Sequence, residues 1–185
     1  MIIGRDDALR LVKENVANEK IVLHMVAVAA IMKALAKHFG ENEDEWELLG
    51  MLHDIDYERT KANPARHGLE AEEILRGKVS DEVLRAIKSH NFENTGINPE
   101  TRMEKALIAA DAVSGLIIAS ALVMPNKKLE EVKVETLEKK FKQKDFARRV
   151  SRNRIMFCEQ IGLPREKFFE IAINALKEIS DELGL

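Results

Sequence analysis

The chain is expected to be all-α, and three observations carry that expectation. Leu, Ala, Glu and Lys are abundant, whereas Gly (9), Pro (4) and aromatic residues (5%) are scarce among 185 residues, a composition that favours helices over strands. No stretch sustains period-2 alternation, and no internal repeat or low-complexity segment is present. Cap and stop signals recur every ten to twenty residues, which divides the chain into roughly eight or nine helices.

Asp6 or Asp7 caps a first helix through about Val16. A second spans Glu19 to Phe39 and stops at Gly40, a residue suited to a left-handed C-terminal cap. On it His24 shares a face with Val28, Ile31 and Leu35, so its imidazole points inward. A third helix, about Glu43 to Ile55, carries Trp46, Leu48, Leu49, Met51 and Leu52 and delivers His53 and Asp54 at its end. The polar segment Asp56–Pro64 reads as a loop over that end. His67 opens a helix to Leu75, with Gly77 behind it. Ser80, followed by Asp81 and Glu82, starts another that ends at Ser89-His90-Asn91, and residues 91–99 form a second loop. Thr101-Arg102-Met103-Glu104 fits a capping box and begins a long helix to about Val123, before Pro125. Asp111 lies in its apolar middle beside Ser114 and Gly115. Residues 133–144 and 145–160 read as two further helices. Pro164 opens the last, whose Phe168, Phe169, Ile171, Ala172, Ala175, Leu176 and Ile179 form one apolar face.

One domain over residues 1–185 is expected, with 45% hydrophobic content sufficient for a sizeable core. The polar-residue constellation falls within 19–123, and residues 126–185 form a helical extension packed on it. The single Cys158 excludes an internal disulfide framework and points to a reducing, cytoplasmic compartment. MIIGRDDALR lacks the apolar centre of a signal peptide. The apolar runs 21–35 and 106–124 are interrupted by His24, Lys33 and Asp111, so no membrane span is expected. The net charge of −3 hides an asymmetry: residues 127–154 hold eleven Lys and Arg against five Asp and Glu. Such a run is most often a solvated face; the alternative is contact with an anionic substrate or partner.

Met51-Leu52-His53-Asp54-Ile55-Asp56 sets an imidazole and a carboxylate inside an apolar run, which costs several kcal/mol unless something pairs them. A metal ion is the simplest partner. His24, His67, His90 and Asp111 add further nitrogen and oxygen donors. His24 alone would be read as a core histidine bonded to a backbone carbonyl, whereas Asp111, facing a core with small neighbours, needs a partner. Together they suit one or two divalent ions, Fe, Mn, Ni, Co or Zn with Mg admissible, and the absence of Cys among them argues against a closed structural zinc site.

The ordered set His24, His53-Asp54, His67, His90 and Asp111, with the His67-Gly68 and Ala86-Ile87-Lys88-Ser89-His90 neighbourhoods, resembles the HD superfamily of metal-dependent phosphohydrolases over roughly residues 19–123. The resemblance implies a helical HD bundle with His24, His53, Asp54 and Asp111 on one ion. It places His67 and His90 on a second, Asp54 bridging the two, and His53 and Asp54 at the catalytic centre. Two such ions, ~3.5–4 Å apart, would bridge a hydroxide and clamp a phosphoryl group. If only one of His67 and His90 ligates, one ion remains and the other ring can hydrogen-bond a phosphate.

The chain departs from the longer His-Asp-Ile-Gly-Lys signature, since Asp56 and Tyr57 stand where that pattern has Gly and Lys. A cyclic dinucleotide phosphodiesterase supported by that lysine is therefore disfavoured. Lys61, Arg66, Arg148, Arg149 and Arg152 are the candidates for phosphate contacts. The expected substrate is a nucleotide or another small phosphate ester; nucleic acid is not expected as a partner, and homo-oligomerisation stays open. The alternatives are a di-iron oxygenase built on the same six ligands and a non-catalytic nucleotide-binding regulatory module.

Overall fold

A computed structural model describes residues 3–185, and these form helices and turns with no strand. Helix α1 spans Arg5–Asn15. Helix α2 (Glu19–Phe39) is capped by the Asn18 side chain and closed by Gly40 at φ +69°. Asn42 caps α3 (Glu43–Leu52) in the same way. Two short helices follow, α4 (Tyr57–Thr60) and α5 (Ala71–Leu75), before α6 (Asp81–His90), which Ser80 caps. After the turn α7 (Phe92–Thr95) comes α8 (Arg102–Leu122), which begins on a complete Thr101/Glu104 capping box. The remainder is α9 (Val134–Lys142), the turns α10 (Arg152–Ile155) and α11 (Phe157–Gln160), α12 (Arg165–Glu178) and α13 (Ser180–Leu183).

The 21-residue helices α2 and α8 form the axis of the bundle. Helix α2 packs on α3, α8 and α12, and α8 receives α6, α10 and α11. Both are long and apolar enough to cross a membrane by length and composition, yet 50% and 67% of their apolar windows are buried inside the protein. Phe168, Phe169 and Leu176 of α12 join the same buried cluster as Met25, Ile31 and Leu35 of α2, which is how the C-terminal helices attach to the rest. Helix α3 lies close against α2 because Gly50 has no side chain: a Cβ there would sit 2.7 Å from the Ala29 Cα. That approach brings the His24 and His53 rings to 5.2 Å between centroids.

Three expected helices have other limits in the structure. The third stops at Leu52, and His53–Asp56 turn away from its axis. The helix expected from His67 begins only at Ala71. Gly68 adopts φ +87° with the Ile87 carbonyl 2.8 Å from where a Cβ would stand, and the buried Asp56 carboxylate accepts from both Gly68 N and Ala71 N. The helix expected over 145–160 breaks at Ala147, which takes φ +44°. There Arg152 donates to the carbonyls of Lys140, Phe141, Gln143, Phe146, Ala147 and Val150, replacing the hydrogen bonds that a helix would have made. Ser151 then caps a new start.

Candidate metal centre

Six side chains meet where α2, α3, α6 and α8 converge. They form two groups, His24–His53–Asp111 and Asp54–His67–His90, in each of which the donor atoms lie within 4.8 Å of one another. His24 Nε2 is 3.1 Å from Asp111 Oδ1 and 3.7 Å from Asp54 Oδ2. The other Asp54 oxygen, Oδ1, lies 3.0 Å from His67 Nε2, 3.4 Å from His90 Nε2 and 3.5 Å from His53 Nε2. Asp54 therefore faces both groups.

The far side of every ring is tied down. His53 Nδ1 donates to the Gly50 carbonyl at 2.8 Å and His90 Nδ1 to the Ile87 carbonyl. The Ser114 hydroxyl spends its proton on the Asp111 carbonyl, so toward His24 Nδ1, 3.2 Å away, it accepts. Likewise the Thr60 hydroxyl donates to the Asp56 carbonyl and accepts from His67 Nδ1, which also lies 3.0 Å from Asp56 Oδ1. All four imidazoles thus have their Nδ1 proton engaged from behind, which leaves Nε2 of each ring directed at one small volume. Hydrogen bonds that fix the tautomer in this way are the usual outer support of metal-binding histidines.

Charge and burial fit a cation in that volume. His53 is fully buried and its Nε2 has no hydrogen-bond partner, an arrangement costly for a polar atom unless something else fills the role. His67 Nε2 and His90 Nε2 face each other at 3.1 Å, so a proton or a metal has to separate their lone pairs. Burial opposes charge on His67, but Asp54 and Asp56 outweigh it and raise its pKa to about 10. Burial similarly opposes charge on His24, and Asp111 overcomes it, giving a net rise. His53 goes the other way, desolvated down to about 4. Burial would raise the carboxyl pKa values of Asp54 and Asp111, but their histidine neighbours hold both well below the usual carboxylate range. His67 thus carries a proton at neutral pH in the metal-free centre, and a divalent ion that takes the place of that proton among the imidazoles and ionised carboxylates fits the donor set.

The centre is closed behind and open in front. The side chains of His53 and His90 are 0% and 4% exposed, whereas those of His24, Asp111 and His67 are 23%, 24% and 18% exposed. Most of the cationic residues considered for phosphate binding have other partners. Lys61 and Arg66, on the segment between Asp54 and His67, are exposed and pair with Glu58 and Glu70. Arg148 and Arg149 are exposed, and Arg152 is committed to backbone carbonyls. Arg148 and Arg152 line a surface cavity of about 670 Å³ with Lys142 and Lys144, and none of the six converging residues contributes to its walls.

Two residues outside the expected set complete the centre. Asp56, fully buried, backs His67. Its signal in the sequence was a third polar residue in the apolar run Met51–Asp56, visible only as a departure from a signature. Arg154 donates through Nη2 to Asp111 Oδ2 at 3.2 Å and to the His90 carbonyl at 2.6 Å; nothing in its local pattern separates it from Arg148, Arg149 and Arg152.

Comparison with known proteins gives the family. Ribonuclease Y of Fervidobacterium nodosum is 32% identical over 97 residues, which is 52% of this chain but 18% of that enzyme, so the chain spans less than a fifth of its relative. No solved structure matches the chain. The HD domain family matches residues 21–116, more than half of the sequence and all six converging residues; the family is one of metal-dependent phosphohydrolases whose domains bind divalent ions, and this chain belongs to it.

Proposed function

We propose that the chain is a metal-dependent phosphohydrolase that hydrolyses a nucleotide or another small phosphate ester. The observation that carries this reading is the convergence of four imidazole Nε2 atoms, each held from behind through Nδ1, on the oxygens of Asp54 and Asp111. In this reading His24, His53 and Asp111 hold one divalent ion, His67 and His90 hold a second, and Asp54 serves both. Bound ions would supply Lewis acidity toward a phosphoryl oxygen and a water acidic enough to attack at neutral pH.

The chain's own groups do the rest. His53 and His90 seal the rear of the centre, so the ester approaches across His24, Asp111 and His67. Lys61 and Arg66 flank the connection between Asp54 and His67; their exposed ion pairs are weak and readily exchanged for a phosphate. A relative named as a ribonuclease supports phosphoester chemistry. The lone, buried Cys158 is in keeping with a cytoplasmic enzyme.

Elemental analysis of protein purified without chelator or affinity tag, followed by a panel of phosphate esters with added Mn, Fe, Co, Ni, Zn or Mg, tests the reading. Turnover that needs a divalent ion and vanishes in His53→Ala and Asp54→Ala is expected. Absence of turnover with every ion, together with oxygen consumption by the iron-loaded protein on an organic substrate, would replace the hydrolase by an oxygenase.

A further inference from the structure

We propose that Arg154 is a positioning residue of this centre, supplied from outside the family-matched segment and tying one residue of each metal-holding group in place. The proposal rests on the reading of the six residues as ligands. Arg154 lies 38 residues beyond the matched segment 21–116. It is delivered by α10, where the Ser151 hydroxyl accepts from Arg154 N and the neighbouring Ile155 is fully buried.

The guanidinium has a fixed set of partners. Nη2 meets Asp111 Oδ2 at 3.2 Å and the carbonyl of His90 at 2.6 Å, while Nη1 meets both oxygens of Glu93 at 3.1 and 2.9 Å. Asp111 uses its other oxygen, Oδ1, toward His24 and His53. Arg154 thus engages Oδ2 of Asp111 from outside and leaves Oδ1 turned toward the histidines, where an ion would be held. His90 is the last residue of α6, so its carbonyl is one of those a helix leaves unpaired at its C-terminus. A cation there satisfies it and suits the helix dipole. The planar fork makes these contacts in directions that an ammonium cannot reproduce together. With its Nη donors engaged and its side chain only 17% exposed, Arg154 acts through Asp111 and His90 rather than on substrate.

Titration of chelator-stripped protein with Mn²⁺, read as free Mn²⁺ by electron paramagnetic resonance, tests the role in wild type, Arg154→Ala, Arg154→Gln and Glu93→Gln. Arg154→Ala and Arg154→Gln should bind Mn²⁺ about 10–100-fold more weakly, the usual consequence of losing an outer partner of a metal ligand; Glu93→Gln should change affinity severalfold at most. Thermal unfolding with and without Mn²⁺ separates positioning from simple support: in the Arg154 variants the Mn²⁺-induced rise in Tm should shrink. Wild-type Mn²⁺ affinity in the Arg154 variants overturns the proposal even if their metal-free Tm falls. Failure of the wild type itself to bind Mn²⁺ overturns the reading of the centre, and the proposal with it. If Arg154→Ala does not fold, Arg154→Gln decides by the same criterion.

Discussion

His24 and Asp111 project from the interiors of α2 and α8, whereas Asp54, His67 and His90 stand where helices stop or have not yet begun. The first pair inherits its geometry from helical hydrogen bonds on both sides. The second group depends on individual side chains. Asp56 holds Gly68 N and Ala71 N, and Asn91 donates to the carbonyls of Pro64 and His67 at 2.9 and 3.1 Å. His24 and Asp111 are therefore positioned by secondary structure and the second group by a polar scaffold, so remote substitutions should damage the two groups unequally.

The largest expected effect removes the difference altogether. Asp54 faces both groups, so Asp54→Ala should lose all bound metal by elemental analysis, while His67→Ala or His90→Ala should lose mainly one ion. Full occupancy in Asp54→Ala would show that the halves are independent. Next is Asp56→Asn, which weakens the outer partner of His67. Metal affinity should drop about 10–100-fold through the second group alone, and an equal loss at the first would contradict the division. Gly68→Ala should destabilise the fold by about 1–3 kcal/mol through its left-handed backbone alone, with the Ile87 carbonyl adding a clash; denaturant unfolding measures it. Asn91→Ala should cost about 1 kcal/mol and show in the same assay.

The pH response adds a second contrast, because in metal-free protein His53 and His67 carry opposite signs. His53, at about 4 when folded against 6.5 for an ordinary imidazole, takes up a proton on unfolding, so stability falls as pH drops from 6.5 toward 4. His67, at about 10 when folded, contributes stability that is full below 6.5 and lost as pH rises toward 10. Metal-free stability should therefore peak near neutrality. His67→Gln should shrink the alkaline decline and leave the acid one, and Mn²⁺ affinity should rise with pH as His67 gives up its proton. An unchanged alkaline limb in His67→Gln would assign it elsewhere.

Much of this was legible in the chain because it depends on local rules. The caps at Ser80 and Thr101 and the stop at Gly40 are short-range chemistry, and α2, α6 and α8 fall within a residue or two of their expected limits. The six converging residues stand out because imidazoles and carboxylates in apolar runs need a partner. Asp56 was hidden because its partners, Gly68 N, Ala71 N and His67, are 11 to 15 residues away. The break at Ala147 was hidden because it depends on one arginine gathering six carbonyls, a pattern without periodicity.

The sequence by itself determined the helical class, the limits of the long helices and the donor types of the centre, since periodicity, capping and the cost of burying polar groups act over a turn or two of chain. Only the tertiary structure decided which nitrogen of each ring faces inward, that Asp54 looks toward both groups, and that Arg154 rather than Arg152 reaches Asp111. Those outcomes follow from contacts between residues up to 90 positions apart, where the packing of one helix against another, and not local propensity, sets which atoms meet.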